Sequence, residues 1–170
     1  MTAPATCAPE QSVAQCRMAI EGDLAALAEM RWTFRTEGDT PAPAVSRERF
    51  VAACVEFLGQ GLADGRWVYW IAELDGEIVS HIFVRRVRKV PKPSRLHDEY
   101  GYVTNVYTRP PYRGQGIGSE LLERVKAWAR GEDLEVLIVW PSEESVAFYE
   151  RAGFSAENDI LEYTVRACVV

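Results

Sequence analysis

The sequence predicts a mixed α/β (α+β) fold: a central sheet of six to seven strands, flanked by about four helices. Three observations point to it. Residues 102–123, YVTNVYTRPPYRGQGIGSELLE, read as a strand, a glycine loop and an amphipathic helix in direct succession. Asp75-Gly76 separates two strand-like runs, a signature of a two-residue hairpin. Between 131 and 153 an apolar run, LEVLIVW, is followed by a helical repeat, each closed by a breaker.

Taken in order, residues 1–14 read as a flexible leader, and 15–170 as one domain without internal repeats. Gln15 to Ile20 is a short strand. Asp23 caps a helix whose repeat runs through Leu24, Leu27, Ala28, Met30, Arg31 and Phe34 and ends near Gly38. After the proline-stiffened segment 40–45, Ser46 caps a second helix through Phe50, Val51, Cys54, Phe57 and Leu58, which Gly59 and Gly61 are expected to close. Trp67–Glu73 and Glu77–Val87 are the hairpin strands, and a basic connection over 88–98 leads to the central strand, Tyr102–Thr108. Pro110 and Pro111 stop its ladder because neither can donate a backbone N–H.

The helix after the glycines shows apolar residues at Ile117, Leu121, Leu122, Val125, Trp128 and Ala129 and ends at Gly131. Leu134–Trp140 is apolar but for Glu135, a near-continuous run that predicts a strand enclosed on both faces. Beyond Pro141, Ser142 caps a fourth helix with Glu143 and Glu144 in its first turn; Val146, Phe148, Tyr149 and Ala152 lie along it, and Gly153 ends it. Ile160–Arg166 is the expected last strand.

Composition narrows the function classes. A net charge of −6 argues against a nucleic-acid partner. No apolar run approaches the ~20 residues that span a bilayer, so no membrane partner is expected. The N-terminus has neither a basic n-region nor an apolar h-region. Cys7, Cys16, Cys54 and Cys168 form no metal-binding spacing, so no metal is expected, and a reduced, cytoplasmic setting follows. Residues 85–95 hold six of the 19 basic residues and no acidic one, so the rest of the chain is strongly acidic, which suits a cationic substrate. That basic stretch is either a solvated connection or a site for an anion.

The chemistry concentrates at the glycine loop. Backbone N–H groups converging on a helix N-terminus bind anions, since orphan donors and the positive end of the dipole point the same way. Glycines let a phosphate approach without Cβ interference. A P-loop requires a lysine after its glycines, and none follows. A dinucleotide fingerprint requires GxGxxG directly after its strand; here Ser119 takes the third glycine position and two prolines intervene.

Arg113-Gly114-Gln115-Gly116-Ile117-Gly118 resembles the (Q/R)xxGx(G/A) signature of the GNAT superfamily of N-acetyltransferases. Thr108, Pro110 and Arg113 resemble that family's V-x-P-x-x-R. About 30 residues on, residues 142–154 (SEESVAFYERAGF) resemble its N-x-x-A-x-x-x-Y-x-x-x-G-F, with Tyr149, Gly153 and Phe154 in register but Ser142 for Asn and Ser145 for Ala. The order of elements is similar over roughly residues 15–166.

The resemblance implies a mixed, mostly antiparallel sheet whose central strand and the LEVLIVW strand are parallel and splay apart, admitting the pantetheine arm of acetyl-coenzyme A. It implies that backbone N–H groups of Arg113, Gly114, Gln115, Gly116, Ile117 and Gly118 hold the pyrophosphate. Backbone groups of Val106 and Thr108 would pair with pantetheine. An N–H near Val106 or Tyr107 would polarise the acetyl carbonyl. Ser142 stands where the family's cofactor-contacting Asn stands, and Tyr149 is the general acid. For the base, His81 and Glu99 are candidates, with Asp98 behind them and a water chain as the equal alternative.

The function implied is transfer of acetyl from acetyl-coenzyme A to a primary amine by direct attack in a ternary complex. The acceptor is a small molecule or a peptide amine, and homodimers are common in the family. Two rivals are a dinucleotide-dependent oxidoreductase and a catalytically weak acyl-coenzyme A sensor or partner module of the same fold.

Overall fold

The computed structural model describes residues 13–38, 41–157 and 160–161. Internal contacts divide the chain into two units, Met1–Trp140 and Pro141–Val170, each described below by itself.

In the first unit the described residues form one five-stranded sheet in the order β1-β2-β3-β4-β5. The strands are β1 (Gln15–Met18), β2 (Trp67–Leu74), β3 (Glu77–Arg88), β4 (Glu99–Thr108) and β5 (Leu137–Val139). The first four pair antiparallel, and β5 joins β4 in parallel. Six to seven strands were expected; five are present among the described residues, and the expected strand 160–166 falls almost wholly outside them. β5 is also shorter than the run 134–140 that announces it. Its three residues are half-buried rather than enclosed, with Val136 and Trp140 exposed on either side, because the strand is last in the sheet among the described residues.

Alternation along the strands builds the two faces. Tyr69, Ile71 and Phe83 join Leu27, Met30 and Leu58 in a core beneath α1 (Leu24–Thr36) and α2 (Arg47–Ala63). The alternate residues Trp70, Ala72, Ile82 and Val84 take the other face, and α3 (Ile117–Gly131), whose Leu121, Leu122, Val125 and Ala129 are buried, packs on β2, β3 and β4.

Two helix boundaries differ from expectation. Asp23 does not cap α1: a turn of 3-10 helix, Glu21–Asp23, starts the segment earlier, and the Asp23 carboxylate accepts the Ile20 N–H at 2.8 Å while pairing with Arg17 at 2.7 Å. Ser46 does cap α2, accepting the Arg49 N–H at 3.4 Å. That helix nonetheless runs through Gly59 and Gly61 to Ala63. Gly61 serves packing instead, since a Cβ there would lie 2.5 Å from the Tyr69 hydroxyl and 2.6 Å from Trp67 Cδ1.

The second unit holds a turn of 3-10 helix, Glu143–Ser145, running into α4 (Val146–Arg151). Ser142 supplies no side-chain cap: its hydroxyl donates to Ser145 Oγ at 3.1 Å, because the 3-10 turn brings the two serines together. Gly153, at φ 84°, ends the helix as expected, with the Phe154 N–H on the Tyr149 carbonyl at 3.0 Å.

Candidate active site

The site begins at an irregularity in β4. His81 pairs with Tyr107 but Phe83 pairs with Thr104, so Asn105 and Val106 together oppose Ile82. This is a β-bulge. It places Asn105 in the left-handed region, at φ 49°, a conformation that costs a non-glycine residue about 1 kcal/mol. Two side chains hold it there. Arg31 of α1 donates to Asn105 Oδ1 at 2.5 Å, and His81 of β3 places Nδ1 3.2 Å from the Asn105 carbonyl. A carbonyl can only accept, so Nδ1 carries the proton.

Beside the bulge, β4 and β5 part company. Their parallel pairing covers Gly101–Val103 against Leu137–Val139 and goes no further, although β4 runs on to Thr108. Residues 104–108 therefore have no partner strand on that side among the described residues. Tyr107 pairs with β3, and the Arg109 N–H reaches Val79 O at 2.9 Å. Alternation then turns the backbone groups of Val106 and Thr108 toward the unpaired side.

The loop after β4 is tied down by its own side chains. Arg109 Nε donates to Ile78 O at 2.9 Å, and Gln115 Nε2 donates to Pro111 O at 2.9 Å. Gly114 and Gly116 have φ of 73° and 82°, and nothing lies within 4 Å of where their Cβ atoms would stand. Gly116 is the N-cap of α3 and offers no side-chain acceptor, so the first N–H groups of the helix are uncapped by any side chain. The loop and helix end together make an open cradle of backbone donors.

Arg113 does not point its charge into that cradle. Its guanidinium pairs with Glu37 at 2.7 and 3.0 Å, its Nε donates to Thr108 O at 2.8 Å, and it lies 5.4 Å over the Tyr107 ring. Tyr107 donates its hydroxyl to the same Glu37 at 2.9 Å. The Arg113 pairing holds the Glu37 carboxyl below its usual range and keeps Arg113 charged. This cluster anchors the loop to the end of α1.

The candidate bases are all occupied or hidden. His81 is fully buried between the rings of Phe83 and Tyr107, at 4.9 and 5.7 Å. Burial, then the nearby Arg31 and Arg109, push its pKa down to about 3, so it is neutral at any working pH. Glu99 opens β4, about 30 Å from the loop at ~3.3 Å per strand residue. Burial would raise its pKa, but hydrogen bonds from Arg86 and Arg88 prevail and hold it low. Asp98 is buried among Lys89, Lys92 and Arg95 at 3.2 to 3.5 Å.

Those pairs also account for the basic stretch. Arg86 and Lys89 reach Glu132 and Glu135, and Arg95 reaches Asp133, so most of its charge is neutralised within the unit. A groove of about 670 Å³ lined by Asp64, Arg66, Arg85, Arg88 and Glu99 lies there, at the far end of β3 and β4 from the glycines. Cys16 and Cys54 are free, and burial raises both thiols, which makes them poor nucleophiles. Cys7 and Cys168 lie outside the described residues.

In the second unit Tyr149 is buried, with the rings of Phe148 and Phe154 at 5.0 and 5.5 Å. Among the described residues no group of three or more His, Cys, Asp or Glu stands where it could hold a metal, and no helix is long and apolar enough to cross a membrane.

Sequence reasoning missed Arg31, Glu37 and Asn105. Two of them left a signal: Arg31 is a charge on an apolar helix repeat, and asparagine is depleted in strand interiors.

Known proteins fit this geometry. The model of the acetyltransferase (GNAT) family matches residues 24–154. An aminoglycoside N(6′)-acetyltransferase type 1 from Stenotrophomonas maltophilia is 30% identical over 115 residues, 67% of this chain and 66% of that protein. A glucosamine 6-phosphate N-acetyltransferase from Trypanosoma brucei brucei is 35% identical over 68 residues, 40% of this chain and 46% of its own. The chain thus spans less than two thirds of either relative. A protein of Clostridium acetobutylicum described as a predicted acetyltransferase, solved with acetyl-CoA, shares the fold at a TM-score of 0.72 and 24% identity, over 89% of this chain and 96% of that one.

Proposed function

The chain belongs to the acetyltransferase (GNAT) family, and from that premise we propose that it transfers an acetyl group from acetyl-coenzyme A to the primary amine of a small polar molecule. One observation carries the reading. The unpaired edge of β4 from residue 104 to 108 leads, through the turn Pro110–Tyr112, into a loop of open glycines at an uncapped helix start. An extended amide-bearing arm suits the edge, and a pyrophosphate suits the cradle. The relatives named above act on an aminoglycoside and an amino-sugar phosphate, which supports a small amine as acceptor.

In this mechanism backbone N–H groups of Arg113 to Gly118 bind the pyrophosphate, and Val106 and Thr108 align the arm. An N–H at Val106 or Tyr107 polarises the acetyl carbonyl and holds the oxyanion. The neutral amine attacks the carbonyl carbon. The C–N bond forms, the C–S bond breaks, and the departing thiolate takes a proton. Tyr149, in register with the tyrosine of the second motif, is the proposed donor. The proton lost by the amine leaves through solvent, since His81, Glu99 and Asp98 are each buried or paired.

That last observation also favours a second reading, an acyl-coenzyme A binding module without turnover. Both share one test. Acetyl-CoA at 100 times its Kd should add about 2.7 kcal/mol of stability, a rise of roughly 5–11 °C in Tm for a chain of this size. NADH and ATP should add none. No shift with acetyl-CoA removes both readings, and a shift with NADH alone restores the dinucleotide rival.

A further inference from the structure

Among the described residues, Arg31 is a half-buried cation without a counter-ion: its guanidinium has one hydrogen-bond partner there, the neutral Asn105 Oδ1, and lies 5.7 Å over the Phe34 ring. No carboxylate is within ion-pairing distance among the described residues. The other half-buried arginine without an ion pair, Arg85, differs: it lies over Trp67 and acts on nearby Asp64. Around Arg31 the groups that act on its charge are Arg35, Cys54 and Tyr102, none of them a carboxylate. Desolvation, then Arg35, lowers its pKa, so the protein destabilises this charge instead of neutralising it.

Such a charge is costly unless something completes it. Its place says what does. Arg31 touches the bulge residue Asn105, and Val106, the next residue, turns its backbone to the unpaired edge of β4. Consecutive Cα atoms are about 3.8 Å apart, so an anion on Arg31 and an amine attacking at Val106 fit within one small molecule. We infer that the acceptor amine carries an anionic group, a carboxylate or a phosphate, that docks on the Arg31 guanidinium. A guanidinium suits either by its paired donors. This rests on the acetyl-transfer reading above.

Matched amines test it by release of the coenzyme A thiol. β-Alanine is set against β-alaninamide for the carboxylate, and O-phosphoethanolamine against ethanolamine for the phosphate. The anionic member of at least one pair should have a kcat/KM at least tenfold higher, and which pair responds identifies the anion. Arg31→Gln removes the charge, and Arg31→Lys, which keeps it, is the control. Arg31→Gln should raise KM for the anionic acceptor at least tenfold more than for its neutral partner, a split that loss of the Asn105 contact alone would not produce. Equal use of both members by the wild type, or a preference that survives Arg31→Gln, overturns the inference, as does an equal fall for both amines.

Should no probe be acetylated, inorganic phosphate at constant ionic strength replaces them. It should raise the Tm of the wild type but not of Arg31→Gln, and no difference between the two overturns the inference. Failure of acetyl-CoA to bind while phosphate still answers to Arg31 would sink the transfer reading and leave the anion site standing.

Discussion

Gly116→Asp should abolish measurable binding of acetyl-CoA while leaving the protein folded. Gly116 is the N-cap of α3 at φ 82°, with open space where a side chain would stand. Aspartate is among the residues that tolerate the left-handed region, at about 1–2 kcal/mol. Its carboxylate would accept from the first uncapped N–H groups of the helix, which returns about 0.5–2 kcal/mol. The two nearly cancel, so the Tm without ligand should stay within a few degrees of the wild type. Binding has no such compensation. The carboxylate takes the donors meant for the pyrophosphate and repels it, and the Kd for acetyl-CoA should rise at least 100-fold, about 2.7 kcal/mol. Gly116→Ala, with the strain but no charge, should fall between. Wild-type affinity in Gly116→Asp, measured by titration calorimetry, would show that the phosphates bind elsewhere.

Acidification should destabilise the protein through His81 before its carboxylates respond. The folded pKa of His81 is depressed to about 3 against an ordinary 6.5. Below pH 6.5 the unfolded chain therefore takes up a proton that the folded chain refuses. The contribution is fully present above pH 6.5 and is lost as pH falls toward 3, at about 1 kcal/mol per pH unit. Glu37, Asp98 and Glu99 have lowered pKa values, so their contributions persist until pH drops below the ordinary carboxylate range near 4. Between pH 6.5 and 4.5 the loss belongs to His81 among these groups. From pH 7 to 5 the wild type should lose about 2 kcal/mol, roughly 4–8 °C in Tm. His81→Asn, neutral throughout and with its amide N–H where Nδ1 stands, should lose little over that interval. Parallel Tm curves for the two proteins would refute the burial argument.

What the sequence disclosed was local, and what it hid was tertiary. The glycine loop, the hairpin at Asp75-Gly76, the Ser46 cap and the Gly153 terminus are each written in neighbouring residues, and each is where the pattern places it. The parallel partnership of β4 and β5 was legible only through the family resemblance, because periodicity carries no strand direction. The bulge depends on contacts across the chain: Arg31 and Asn105 are 74 residues apart, Glu37 and Arg113 are 76. Nothing in the spacing of either pair announces the other. Arg113 shows the same limit. Its position in the motif marks the loop, yet only the fold shows its side chain turned to Glu37. Gly61 resembled a helix end because glycine both stops helices and admits close neighbours, and here Tyr69 and Trp67 decide for the second role.

The most direct test of the account is the initial rate of coenzyme A thiol release with acetyl-CoA and an amine acceptor both varied. Direct attack in a ternary complex predicts release that requires the amine, with double-reciprocal lines that intersect. Parallel lines would mean an acetyl group carried on the protein, which the half-buried, raised thiols of Cys16 and Cys54 speak against. Saturable binding of acetyl-CoA without amine-dependent release from any acceptor would contradict the account outright, and the protein would be a module that binds the thioester without using it.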